Sequence, residues 1–178
     1  MKKQLHSFRN RDCHKTKREK IMREMKHMED SRTENTYLIM NKHINSYGRL
    51  FGGVLMQWID EMAGIVAHRH AGTIVTTACV DNLTFKAGAY LGDVVVLIGK
   101  LTYVGRTSME VRIDTYVESP DGTRKVINRA YEVMVALDEN DNKVEVPGLI
   151  VETESEKAEW IGAQKRNALR RERRIEGY

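Results

Sequence analysis

Cysteine is scarce in this chain of 178 residues: there are two, Cys13 in a charged tail and Cys79 in an apolar, strand-like run. Two such residues make no disulfide framework, and no Cys/His cluster has the spacing that holds zinc, so no metal site is expected. Long apolar runs are also missing, and nothing approaches the ~20 consecutive residues that a membrane-spanning helix requires. The basic residues near the N-terminus lack the apolar stretch that follows them in a secretory signal. No Gly-x-Ser-x-Gly elbow occurs, which removes the nucleophile turn of a serine triad, and there is no internal repeat. These absences predict a reduced, cytoplasmic, soluble protein. Its length fits one domain better than two.

Charge of one sign is missing from the centre. The net charge is +4, but residues 1–30 hold ten Lys/Arg against five Asp/Glu, and residues 153–178 hold seven against five. The stretch between them is mildly acidic, with twelve basic and fifteen acidic residues. A nucleic-acid reader carries a single-sign patch on its folded surface. Mixed-charge ends are more often solvated helices, so no nucleic-acid partner is expected.

Three regions follow. Residues 1–30 form a basic extension in which Ile21, Met22, Met25 and Met28 recur at helical spacing, predicting a short amphipathic helix. Residues 31–152 hold nearly all the apolar content. Residues 153–178 predict a largely solvated, charged helix around Ala158, Ile161 and Leu169.

The central region predicts one strong helix from Gly52 to about His70. Val54, Leu55, Trp58, Ile59, Met62, Ala63, Ile65 and Val66 make a wide apolar stripe, with Gln57, Asp60, Glu61, Gly64 and His68 on the narrow remaining face. Strands are predicted at Thr33–Met40, Thr73–Phe85, Val94–Val104, Met109–Val117 and Val126–Leu137. Short links such as Gly92-Asp93 and Gly105-Arg106 force consecutive strands to be antiparallel neighbours. One helix against an antiparallel sheet is an α+β architecture. Such a sheet leaves a face and an edge uncovered, and edge-to-edge dimerisation is the simplest cover.

The richest chemistry lies between Asn45 and Asp60. Gly48, Gly52 and Gly53 free the backbone just before the helix, whose first amides lack intrahelical partners and sit at its positive end. Those amides suit an oxyanion, although loop punctuation is the commoner use of such glycines. Asp60 sits two turns into an apolar helix; partial desolvation there would raise its pKa and suit it to act as base or nucleophile, and a solvated Gln57–Asp60–Glu61–Gly64 face fits the spacing equally well. Asn45 suits a turn or a polar site contact, and Thr76 and Thr77 read first as ordinary strand residues.

The string Asn45-x-x-Gly48-x-Leu50-Phe51-Gly52-Gly53, followed by Trp58-Ile59-Asp60-Glu61-x-Ala63-Gly64, resembles the acyl-CoA thioesterases of the hotdog fold. The resemblance is to the bacterial acyl-CoA hydrolases and the brain-type cytosolic acyl-CoA hydrolases. It continues through Ile74–Asp81, Phe85, Gly92-Asp93, Val104–Val111 and Val146-Pro147, covering roughly residues 31–174. It implies a sheet wrapped around the Gly52–His70 helix, paired subunits, and hydrolysis of acyl-CoA to free acid and CoA with no cofactor beyond the substrate's own coenzyme. It also implies a homodimer or a trimer of dimers, with Asp60 as general base or nucleophile acting together with Asn45 across the subunit interface. Gly53, beside Gly52, is implied as oxyanion donor, Thr77 as the residue orienting water, and Arg106, Thr107 and Ser108 as neighbours of the CoA moiety. One departure is Gly88, where many relatives carry proline. Two other hotdog roles stand as alternatives. A hydratase lacks its usual histidine partner for Asp60, and an acyl-CoA sensor would need a DNA-binding head longer than thirty residues.

Overall fold

The computed structural model describes residues 23–177. Cys13, Ile21 and Met22 lie outside the described residues. The described chain runs β1 (Met25–His27), β2 (Thr33–Leu38), α1 (Gly52–Ala71), β3 (Ile74–Phe85), β4 (Val94–Val104), β5 (Ser108–Glu118), β6 (Arg124–Leu137), β7 (Gly148–Ile150) and α2 (Glu154–Glu176). Five strands form one antiparallel sheet in the order β2-β4-β5-β6-β3, with Thr33 opposite Gly99, Val94 opposite Glu118, Ser108 opposite Val135 and Ile74 opposite Leu137. β1 and β7 pair in parallel beside it.

The sheet wraps α1, as its apolar stripe dictates. Leu55, Trp58, Ile59, Met62, Ala63 and Val66 are buried together with Val95, Leu97, Leu101, Val111, Ile113, Ala130 and Met134 of the facing strands. Each of the larger side chains contributes about 1.5–3 kcal/mol by leaving water. Gly99 lets the helix approach: a Cβ there would lie 2.8 Å from Met62 and 2.9 Å from Val66. Trp58 stacks on Tyr37 at 4.2 Å, tying the helix to β2.

β3 carries two bulges. Thr77 pairs with Met134 and Cys79 with Val133, so Ala78 is extra; Val80 pairs with Glu132 and Asn82 with Tyr131, so Asp81 is extra. Bulges re-aim side chains. Here Thr77 turns toward α1 while Asp81 turns to the opposite side, where it meets Arg170 and Arg173 of α2.

Two expectations change. Met25–His27 is strand and Met28–Asp30 a single 3-10 turn, so the predicted amphipathic helix does not continue into the described residues; the pairing with β7 sets the extended conformation. Ile65 is 37% exposed, because it turns away from the sheet. The buried side of α2 is Ala163 with Trp160, Arg166 and Arg170, whereas Ile161 and Leu169 face solvent. That side of α2 covers the outer face of the sheet, where Glu110 is 1% exposed and is held by Thr102, Arg166 and Arg170. The charged side chains of β5 on that face, Glu110, Arg112 and Asp114, are therefore ion-paired.

Candidate active site

Asn45 organises the loop before α1. Its Oδ1 accepts from the backbone amides of Tyr47 at 2.9 Å and Arg49 at 3.2 Å, and its own amide donates to the Arg49 carbonyl at 2.8 Å. The turn role is thus real, and Nδ2 keeps no partner among the described residues. Asn45 and Gly52 line one cleft of about 350 Å³ with Leu55, Phe85 and Ala89.

The first turn of α1 presents the expected unpartnered amides. The Phe51 amide donates to the His43 carbonyl, while those of Val54 and Leu55 donate to the Phe51 carbonyl. Gly52 and Gly53 donate to nothing among the described residues, and no side chain caps this end. Two N–H groups at a positive helix end are suited to hold a developing oxyanion.

Asp60 lies on the exposed face of α1, seven residues and nearly two full turns beyond Gly53, and so on the same side. Thr77 Oγ1 donates to Asp60 Oδ1 at 2.5 Å. Behind the pair sits Glu132 of β6, which is 1% exposed. Burial first, then the charge of Asp60 and a hydrogen bond with it, push the Glu132 carboxyl up to about 7. Its Oε2 has no partner among the described residues. Glu132 is thus a buried carboxyl held well above the usual carboxylate range.

Glu132 was missed in the sequence, although a signal exists. In β6 the side facing α1 reads Ala130, Glu132, Met134, Ala136, a charged residue in phase with an apolar row. The run Val126–Leu137 reads as a buried strand, and the break in the row is visible only when its two faces are separated.

Arg106, Thr107 and Ser108 gather at the β4–β5 turn. The Arg106 and Thr107 carbonyls accept from the amides of Val146 and Ala136, and the Ser108 carbonyl from Gly105. The Arg106 side chain is exposed and makes no ion pair among the described residues. Thr107 and Ser108 line a second cleft of about 330 Å³, whose basic lining is Lys143, Arg170, Arg171 and Arg174. The structure therefore brings Thr77 onto Asp60, and Asn45 with Gly52 into one cleft, with Thr107 and Ser108 in another. Within one chain Asn45 is not brought onto Asp60: eight residues of helix separate Asp60 from Gly52, a rise of about 12 Å. Among the described residues no three His, Cys, Asp or Glu side chains converge as a metal site would, and no helix is long and apolar enough to cross a membrane.

Residues 47–123 match the Thioesterase superfamily. The chain is 38% identical over 112 residues to an uncharacterized acyl-CoA thioester hydrolase of Zymomonas mobilis, covering 62% of this chain and 74% of that one. It is 32% identical over 133 residues to the acetyl-coenzyme A thioesterase of Mus musculus, where it spans 74% of itself but only 24% of that longer protein. Among solved structures, an acyl-CoA hydrolase of Staphylococcus aureus, in complex with butyryl coenzyme A, coenzyme A and coenzyme A disulfide, superposes with a TM-score of 0.82 at 32% identity, covering 86% of this chain and 94% of that one. An apo-hexameric acyl-CoA thioesterase superposes with a TM-score of 0.81 at 36% identity, covering 84% and 97%. The Staphylococcus aureus hydrolase has also been solved with an Asn, an Asp or a Thr changed to Ala, at positions 15 and 17 residues apart; Asn45, Asp60 and Thr77 have the same two separations.

Proposed function

The chain belongs to the thioesterase superfamily, among its acyl-CoA thioester hydrolases, and from that membership we propose that it hydrolyses acyl-CoA to free acid and CoA at a site centred on Asp60. The observation that carries the proposal is the contact of Thr77 with Asp60 on the open face of α1.

Thr77 fixes one carboxylate oxygen and leaves the other for water. Asp60 takes a proton from that water as its oxygen attacks the thioester carbonyl, and the Gly52 and Gly53 amides of the other subunit, which accompany its Asn45, hold the oxyanion that forms. Collapse of the intermediate breaks the C–S bond, and the proton on Asp60 passes to the departing thiolate. If instead Asp60 attacks the carbonyl itself, a mixed anhydride forms that water then cleaves. Label found in Asp60 after a single turnover in ¹⁸O-water identifies the anhydride route, with water attacking the Asp60 carboxyl carbon.

The working unit is a homodimer in which Asn45 of one subunit meets Asp60 of the other, assembled further as a trimer of dimers. Two features support this reading. β3 is a twelve-residue edge strand with an open side. Phe51, Met56, Ile74, Val80 and Phe85 expose large apolar surface on and around it. Thr107 and Ser108, with the basic lining of their cleft, and the exposed Arg106 beside them receive the phosphates of CoA. The hydrolase domain is residues 31–152, flanked by a basic extension and the charged helix of 153–178, and it acts in the cytoplasm in fatty-acyl metabolism.

Thiol release from a panel of acyl-CoAs, followed with a thiol reagent, tests this reading. Release above the buffer rate supports hydrolysis. Tight binding of acyl-CoA without release would instead identify a sensor.

A further inference from the structure

Glu132 has no part in the steps above, yet it is among the most completely buried charged-type side chains of the protein. An isolated carboxylate cannot stay ionised at such a depth without a partner. The buried carboxylate of Glu110 on the other face of the sheet has Arg166 and Arg170. Glu132 has no cation at all among the described residues.

What faces Glu132 can be enumerated. From β5, Val111 lies opposite it; from β3, Val80 lies opposite, beside the bulge at Asp81, whose own carboxylate is turned to α2. Met134, two residues further along β6 on the same side, is opposite Thr77, the residue that grips Asp60. From α1 the charged group that faces Glu132 is Asp60, whose carboxylate acts on it at close range. Two carboxyl groups share a hydrogen bond only when one of them carries a proton. Asp60 is exposed and already accepts from Thr77, so the proton belongs on the buried member, Glu132.

We propose that Glu132 is a positioning residue of this thioesterase site: its protonated carboxyl donates to Asp60 from beneath, clamping the carboxylate between Thr77 and β6, and its ionisation switches the site off. The inference rests on Asp60 being the reacting carboxylate. With both carboxyls ionised, Asp60 loses a donor and gains a repelling charge, and a second negative charge stands beside the carbonyl that must become an oxyanion. The Glu132 carboxyl, raised to about 7, puts this transition in the neutral range.

The test is the pH profile of kcat for acyl-CoA hydrolysis, between about pH 5.5 and 9, in the wild type, E132Q, E132A and D60N. The wild type should lose activity as pH rises through about 7, the range of the Glu132 carboxyl. In E132Q the amide donates as the protonated acid does and cannot ionise, so that descending limb should vanish. E132A removes the donor and should lower kcat about tenfold at every pH, also without the limb. A descending limb that survives in E132Q, or an E132A rate equal to that of E132Q, would overturn the proposal. Full activity in D60N would overturn the reading beneath it, and the two failures are thus distinct. If E132A does not fold, the limb in E132Q decides alone.

Discussion

Thr77 Oγ1 and Asp60 Oδ1 meet at 2.5 Å across the groove between β3 and α1. Neither residue is held there by burial. Asp60 is carried by the helix and Thr77 by a strand that bulges immediately after it, so backbone geometry fixes the pair. A carboxylate anchored at one oxygen keeps the other free for water.

Removing the anchor should therefore cost rate rather than stability. Hydrogen bonds to charged groups are worth about 1.5–3 kcal/mol, so Thr77→Ala should lower kcat on the order of tenfold to a hundredfold. Thermal unfolding should barely move, because Thr77 is exposed. A large drop in melting temperature with kcat unchanged would reassign Thr77 to the scaffold.

Glu132 should govern stability as well as rate. Its carboxyl is raised from 4.5 to about 7 by burial and by Asp60. The unfolded chain ionises it near 4.5 and the folded protein only near 7, so the stability it allows is complete below pH 4.5 and is lost as pH rises through 7. A shift of this size corresponds to up to about 3 kcal/mol. The melting temperature of E132Q minus that of the wild type should accordingly grow between pH 5 and pH 8. A difference that stays flat across that window would mean that Glu132 titrates normally.

The sequence made the frame legible because its periodicities are strong. The apolar stripe of α1 and the bounds of β4, Val94–Val104, are read directly from spacing. Asn45, Asp60 and Thr77 stand out only as members of an ordered set of motifs, since each alone has an ordinary structural use. Glu132 stayed hidden because its role depends on which strand lies beneath Asp60, a matter of sheet order that local pattern does not encode. The inward side of α2 was hidden for a related reason. Arg166 and Arg170 look solvated until Glu110 and Asp81 are placed opposite them.

The separation of Asn45 from Asp60 within one chain leads to a mixing experiment. Asp60→Asn and Asn45→Ala proteins should each be weakly active. After subunit exchange, a mixed dimer would place both substitutions in one site and leave the other site intact, so activity should recover in the mixture. Exchange confirmed by mass spectrometry without any recovery would put both residues in the site of a single subunit.

The central claim is that the Asp60 carboxylate performs the chemistry, and kcat of Asp60→Asn for acyl-CoA hydrolysis tests it most directly. The substitution keeps the shape of the side chain and a possible hydrogen bond with Thr77 while removing the charge. General-base contributions run to about 10²–10⁴-fold, and kcat should fall by that order with the fold intact by circular dichroism. A folded Asp60→Asn protein with the wild-type kcat would contradict the account.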